Sequence, residues 1–261
     1  MGQTPPLPRL IVVCLHKAGT HLALRLIEEL GFHRRYFEDD MLECVERDPA
    51  ETFLGKMEPG AAYFLHECRL DRFPRHLFDH WREHGDPVFI YQYRDPRAVL
   101  LSEVNYLRRQ HRGSSFSNTT YHLAFSDALC AQANQGDALD IALHCMGDYL
   151  TESFLGSVWM LHHPEVHRVT YESLVGERGG GTDVEQVAEV ARLIRRLGLS
   201  ADETKVASRL FDSGQRTFHR GQVDAWREIY APRQLRLFES RYGHILDAYG
   251  YHREAGPGPA G

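Results

Sequence analysis

Six consecutive apolar residues, Leu10-Ile11-Val12-Val13-Cys14-Leu15, stand between Pro8 and the turn Lys17-Ala18-Gly19, and a helical pattern begins at once beyond that turn. A β-branched run of this kind predicts a strand buried on both faces. Leu22, Leu26, Ile27 and Leu30 then recur at helical spacing and stop at Gly31, a good residue to end a helix. A doubly buried strand followed directly by a helix calls for a parallel sheet covered by helices, because the crossover to the next parallel strand must lie over a face.

The same alternation returns along the chain. Ala62 to His66 reads as a strand, Pro74 to Glu83 as a helix, and Val88 to Tyr93 as a second strongly buried strand. Asp95-Pro96 reads as a helix start, with Asp95 as N-cap and Pro96 at the first helical position. Residues 123–159 are expected to be mostly helical, and Val166 to Tyr171 to form a strand leading into the glycine-rich loop Gly176 to Gly181. Val184, Val187, Ala191, Ile194 and Leu197 mark an amphipathic helix ended by Gly198, and a last helix is expected from Pro232 to Tyr249. No internal repeat is visible. The reading is one α/β domain over residues 9–252, with a flexible arm at 1–8 and a disordered tail at 253–261.

Composition narrows the ligands. Lys plus Arg number 30 against 36 Asp plus Glu, a net charge of -6, so the chain as a whole is no nucleic-acid binder and an anionic ligand needs a local site. No apolar run approaches the ~20 residues of a membrane span, and no charged-then-apolar leader stands at the start, so a soluble, cytoplasmic protein is expected. Cys14, Cys44, Cys68, Cys130 and Cys145 are scattered without a CxxC pair, which fits a reducing compartment and excludes a disulfide scaffold. The 16 His are many for this length and require a metal site to be weighed.

Two segments carry chemistry. Lys17-Ala18-Gly19-Thr20-His21 occupies the turn into the first helix, where outward N–H groups and the positive end of the dipole accept an anion. Neither GxxxxGK[ST] nor GxGxxG is present, so a phosphate loop here is of another kind; the alternative is a solvated lysine on a tight turn. Arg94 follows the strand Val88 to Tyr93 at the edge where ligands of open α/β sheets gather, and Ser102 lies two turns into the next helix. Together they offer a guanidinium and a hydroxyl to a second phosphate. The alternative is an arginine paired with a nearby carboxylate.

With these motifs in place, the sequence resembles the PAPS-dependent sulfotransferases. The resemblance rests on Lys17-Ala-Gly19-Thr20, then Tyr93-Arg94-Asp95-Pro96-Arg97 with Ser102, then Val169-Thr170-Tyr171-Glu172-Ser173-Leu174, then Phe218-His219-Arg220-Gly221 with Trp226, all in family order. It implies a P-loop-like three-layer fold with a central parallel sheet flanked by helices. It also implies transfer of a sulfuryl group from 3′-phosphoadenosine 5′-phosphosulfate (PAPS) to a hydroxyl or amine of a small molecule, leaving 3′-phosphoadenosine 5′-phosphate (PAP), with no metal required. Carried over by position, Lys17, Gly19, Thr20 and His21 hold the 5′-phosphosulfate, and Lys17 neutralises the leaving phosphate. Arg94 and Ser102 bind the 3′-phosphate, Arg220 and Gly221 close over it, and Tyr171 lies near the adenine. His66 takes the place of the catalytic base, with Glu67 as a rival.

The chain departs from the family loop: His16 replaces Pro, Ala18 replaces Ser, His21 replaces Thr, and Leu22 replaces the Trp that stacks on adenine. His219 stands where an Arg is usual. If His21 or His219 titrates near its ordinary value, nucleotide affinity should strengthen as pH falls through ~6.5. The acceptor pocket is expected from Tyr36 to Met57 and Gln110 to Cys145, with Phe116, Tyr121, His122 and Phe125 as a candidate aromatic wall; core or surface packing is the alternative for each. Arg108, Arg109, His111 and Arg112 read as a solvated basic face, with attraction of an anionic acceptor as the alternative. Rival functions are a P-loop-type kinase, a non-catalytic PAPS or PAP binder, and a metal-binding protein using His76, His80 and His84, whose four-residue spacing suits one helix face.

Overall fold

The computed structural model describes residues 7–36, 57–66, 68–69, 75–109, 120–211 and 222–254. Its five strands are β1 (Leu10–Cys14), β2 (His33–Tyr36), β3 (Ala61–Leu65), β4 (Val88–Tyr93) and β5 (His167–Thr170), all parallel in one sheet of order β2-β3-β1-β4-β5. The helices in chain order are α1 (Thr20–Glu29), α2 (Arg75–His84), α3 (Pro96–Arg109), α4 (Thr120–Cys130), α5 (Gln135–Cys145), α6 (Gly147–Ser157) and α7 (Trp159–His162). They continue with α8 (Tyr171–Leu174), α9 (Asp183–Arg196), α10 (Glu203–Ala207), α11 (Trp226–Ile229) and α12 (Pro232–Tyr249).

Strand alternation sorts the core into two layers. Leu10, Val12, Ala62, Phe64, Ile90 and Val169 face one side, under Leu26 and Ile27 of α1 and Val190 and Leu193 of α9. Ile11, Val13, Ala61, Tyr63, Phe89 and Tyr91 face the other, under Trp81 of α2, Leu100 and Val104 of α3, Phe154 of α6 and Phe238 of α12. The expected three-layer architecture is therefore present, with β1 at its centre. β1 and β4 are neighbours, yet α1 leaves over one face and α3 over the other, which opens a crevice at the carboxyl edge between them.

Some boundaries differ from expectation. β3 ends at Leu65, so His66 lies just beyond it. β5 ends at Thr170 because the Thr170 hydroxyl accepts from the Ser173 N–H at 3.0 Å, which starts α8 and makes Tyr171 its first residue. The helical region from Thr120 breaks after Cys130, where the Asn134 side chain caps α5 by accepting from the Asp137 N–H, and again at Met146 and Val158. β2 was not expected: His-Arg-Arg-Tyr has no apolar alternation, and it joins the sheet at an edge by pairing with β3. Asp95 does cap α3, accepting from the Arg97 N–H at 2.8 Å, and α12 spans Pro232 to Tyr249 as expected.

Residues 1–6 of the arm and 255–261 of the tail lie outside the described residues. So do Glu67, Phe218, His219, Arg220 and Gly221. Of the segments expected to build an acceptor pocket, 37–56 and 110–119 also lie outside. Among the described residues no helix is long and apolar enough to cross a membrane. In the histidine helix, the His80 and His84 rings lie 4.5 Å apart, but no group of three or more metal-ligating side chains is assembled among the described residues.

Candidate active site at the carboxyl edge of the sheet

A parallel sheet delivers the carboxyl end of every strand to one edge, and four candidate residues arrive there this way. Lys17 follows β1, His66 follows β3, Arg94 follows β4, and Tyr171 follows β5. Their separation in sequence is removed by the sheet register, with Val13 beside Leu65, Cys14 beside Gln92 and Tyr93 beside Thr170.

The loop after β1 is tightly built. Lys17 has φ 61° and Gly19 φ 97°, and the Ala18 N–H returns to the Leu15 carbonyl at 2.9 Å. A Cβ on residue 19 would meet Tyr171 Cδ2 at 2.5 Å and Gln92 Nε2 at 3.0 Å, so only glycine fits. From β4 the buried Gln92 amide donates to the carbonyls of Ala18, at 2.8 Å, and Gly19, at 3.2 Å. With those carbonyls drawn toward the sheet, and the Leu22 and Ala23 N–H groups turned back to the Gly19 carbonyl, the amides of Gly19, Thr20 and His21 are left at the N-terminus of α1. Thr20 Oγ1 is fixed by the Cys14 thiol at 3.5 Å; burial pushes that thiol up to about 12, so it stays protonated and inert.

Lys17 turns inward. Its ammonium lies 3.4 Å from the centroid of the Tyr106 ring and 4.0 Å from the Glu103 carboxylate. Burial lowers Lys17 to about 8, with Glu103 opposing that shift and Arg109 adding to it. His66 Nδ1 lies 3.2 Å from the Cys14 carbonyl; a carbonyl can only accept, so Nδ1 carries the proton and Nε2 presents its lone pair. Burial, then the neighbouring His16, lower His66 below its ordinary value, with Lys17 adding a smaller push in the same direction and the Cys14 bond opposing. His16 packs edge-on against His66 at 4.8 Å between ring centroids, and its Nδ1 is 3.0 Å from the Tyr149 hydroxyl.

Arg94 forms a second positive centre. Only 8% exposed, it donates to the Gln222 carbonyl at 3.1 Å and lies 4.0 Å over the Tyr171 ring, while its Nε has no hydrogen-bond partner among the described residues. Gln222 directly follows Gly221, so the chain returns to Arg94 next to the motif that carries Arg220. Ser102 is half-buried on α3. The alternative of an arginine paired with a carboxylate describes Arg97 instead, whose guanidinium grips Asp95 at 2.7 to 3.2 Å and stacks 3.9 Å from Trp226. Glu172 is also structural here, accepting from the Asp95 N–H and the Tyr251 hydroxyl, each at 3.1 Å; burial raises its carboxyl.

Gln92, His16, Glu103, Tyr106 and Tyr149 were not among the expected site residues. Two had a signal. Gln92 is the polar interruption of the run Val-Phe-Ile-Tyr-Gln-Tyr, and Glu103 shares the helical spacing of Leu100 and Leu107, which puts a carboxylate on the buried face of α3. Tyr149 and Tyr106 are brought in only by tertiary packing.

The five-stranded parallel sheet flanked by helices is similar to the fold of solved sulfotransferase structures. Two solved structures carry the comparison. Mouse sulfotransferase SULT7A1, complexed with PAP, matches with a TM-score of 0.60 at 17% identity over 92% of this chain and 84% of that one. Retinol dehydratase, in complex with androsterone and the inactive cofactor PAP, matches with a TM-score of 0.57 at 15% identity over 91% of this chain and 80% of that one. No protein-family model matches the sequence, and no curated protein matches it.

Proposed function

We propose that this chain is a PAPS-dependent sulfotransferase acting on a hydroxyl or amine of a small-molecule acceptor. The observation that carries the reading is a pair of separate cation centres on one sheet edge, Lys17 with the α1 N-terminus and Arg94 over Tyr171, beside an imidazole whose Nε2 is free of its proton. A nucleotide bearing phosphate groups at both ends needs two such centres. The residues fit it: the amides of Gly19, Thr20 and His21 stand at the N-terminus of α1, and the buried Arg94 Nε is a donor without a partner among the described residues. The two solved structures compared above each hold PAP.

In this reading Lys17, Gly19, Thr20 and His21 hold the 5′-phosphosulfate, Arg94, Ser102, Arg220 and Gly221 the 3′-phosphate, and Tyr171 borders the base. Bound PAPS supplies an activated sulfuryl group on a phosphate leaving group. His66 Nε2 removes the acceptor proton, and the Lys17 ammonium with the α1 amides neutralises charge developing on the leaving oxygen. Positive charge comes from the protein, and no metal enters the scheme. The free thiols of Cys14, Cys68, Cys130 and Cys145 support a reducing, cytoplasmic setting, and the net charge of -6 argues against a nucleic-acid partner.

The test is a mass-detected PAPS transfer screen over phenols, alcohols, sugars and lipids, with PAP binding measured by calorimetry. A sulfated product is expected. PAP binding without any product would make the chain a non-catalytic binder, and absence of both would overturn the reading.

A further inference from the structure

We propose that Glu103 is a positioning residue for this site, holding the Lys17 ammonium and the His16 ring together beneath the β1 loop so that both flank His66. The inference rests on the sulfotransferase reading and goes beyond it, since a carboxylate is the wrong charge for a place meant to receive a phosphosulfate. Yet Glu103 is fully buried, one residue after Ser102, with Oε2 3.7 Å from His16 Nδ1 and 4.0 Å from Lys17 Nζ. A buried carboxylate is tolerated when cations answer it, and the reverse holds for a buried ammonium. Lys17 rests on the face of Tyr106, which attracts it, while Arg109 one turn further on opposes its charge. His16 stands where the family loop has proline, so the imidazole and the carboxylate enter this site as partners: Glu103 and Tyr149 hold the ring from below while it packs edge-on against His66.

The consequence is a defined ammonium. Among the described residues the groups facing Lys17 are His16 on its own loop, His21 on α1, His66 beyond β3, and Glu103, Tyr106 and Arg109 on α3, with Tyr149 of α6 reaching it through His16. Glu103 is the negative member of that set. Removing its charge leaves burial and Arg109 unopposed, so Lys17 loses its proton at lower pH and the cation aimed at the leaving phosphate disappears under working conditions.

The experiment compares the full-length chain with Glu103→Gln. Lys17 reactivity toward acetic anhydride is followed against pH by mass spectrometry without nucleotide, and kcat/KM for PAPS is followed over the same range. The expected result is a Lys17 midpoint lowered by roughly one unit from the wild-type position near 8, with the basic limb of kcat/KM moving alongside it. Glu103→Asp, which keeps the charge one methylene further back, is expected to shift the midpoint in the same direction by less, and it carries the test if Glu103→Gln does not fold. An unshifted midpoint in a folded variant overturns the proposal. Because acetylation needs no nucleotide, a shifted midpoint in a chain that neither binds PAP nor turns over PAPS sustains the Glu103 coupling and refutes the sulfotransferase reading instead.

Discussion

The Arg94 guanidinium lies 4.0 Å over the ring of Tyr171, and that same ring closes against Gly19 so tightly that a Cβ there would approach it to 2.5 Å. One aromatic side chain thus connects the two cation centres. It sets the height of the β1–α1 loop on one side and the plane of the Arg94 guanidinium on the other. Tyr171→Phe keeps the ring and is expected to retain PAP affinity. Tyr171→Leu removes a cation–π contact worth about 0.5–2 kcal/mol and should weaken PAP binding by about threefold to thirtyfold, measured by calorimetry. Equal affinities for the two variants would show that the ring does not support Arg94.

Gly19→Ala meets the problem from the other side. The left-handed conformation at φ 97° costs about 1–3 kcal/mol for a non-glycine residue, and the Tyr171 ring must also move. We expect a lower thermal midpoint together with weaker PAP binding. A fall in stability with unchanged affinity would mean that the loop re-forms around the new methyl group.

Two arginines three residues apart have different surroundings. Arg97 and Asp95 are both buried and paired, and Trp226 covers the guanidinium. Arg97→Ala leaves Asp95 buried without its partner and should cost about 3–5 kcal/mol in denaturant unfolding. Arg94→Ala should change stability little and reduce PAP affinity by about tenfold or more, because charge-assisted hydrogen bonds to phosphate are lost. The opposite pattern, with Arg97 controlling affinity and Arg94 stability, would exchange their assignments.

Much of this was legible in the chain. The continuous apolar runs of β1 and β4 demanded a parallel sheet, and a parallel sheet by itself gathers Lys17, His66, Arg94 and Tyr171 at one edge. Sequence chose Arg94 but left open whether it pairs with a carboxylate; tertiary packing gives that pairing to Arg97, which meets Asp95. β2 was missed because an edge strand can remain polar. The buried Gln92 and Glu103 and the half-buried Tyr149 were missed because a polar residue on a core face is meaningful only when the group it answers is known.

Gln92 makes that point testable. Its amide holds the carbonyls of Ala18 and Gly19 from the floor of the loop. Gln92→Leu keeps the volume and leaves both carbonyls without this donor, at a cost of about 1–3 kcal/mol each where water cannot reach them. PAP affinity should fall with stability, since the α1 amides lose their aim. Loss of stability alone would show that the loop holds its shape without the amide.

The pH dependence separates the histidines from the lysine. Nucleotide binding was expected to strengthen as pH fell through ~6.5 if His21 or His219 titrated there. His219 lies outside the described residues; for His21, burial first, then Lys17 and Arg34, lower the ring, so its charged form appears only below its ordinary range. With His21 neutral there, PAP affinity should be flat between about pH 6.5 and 7.5 unless His219 titrates in that range. It should weaken by about tenfold as pH rises well past the Lys17 value of about 8, where the free protein loses that cation. Transfer needs His66 neutral, and because burial and His16 hold His66 low, the acid limb of kcat/KM should fall below 6.5 while Lys17 sets the basic limb. Calorimetry with PAP at pH 6, 7 and 9 and a pH profile of PAPS turnover measure both. Affinity that strengthens between pH 7 and 6 would restore a titrating histidine to the phosphate site, and a basic limb unchanged in Lys17→Arg, whose guanidinium does not titrate in this range, would remove Lys17 as its source.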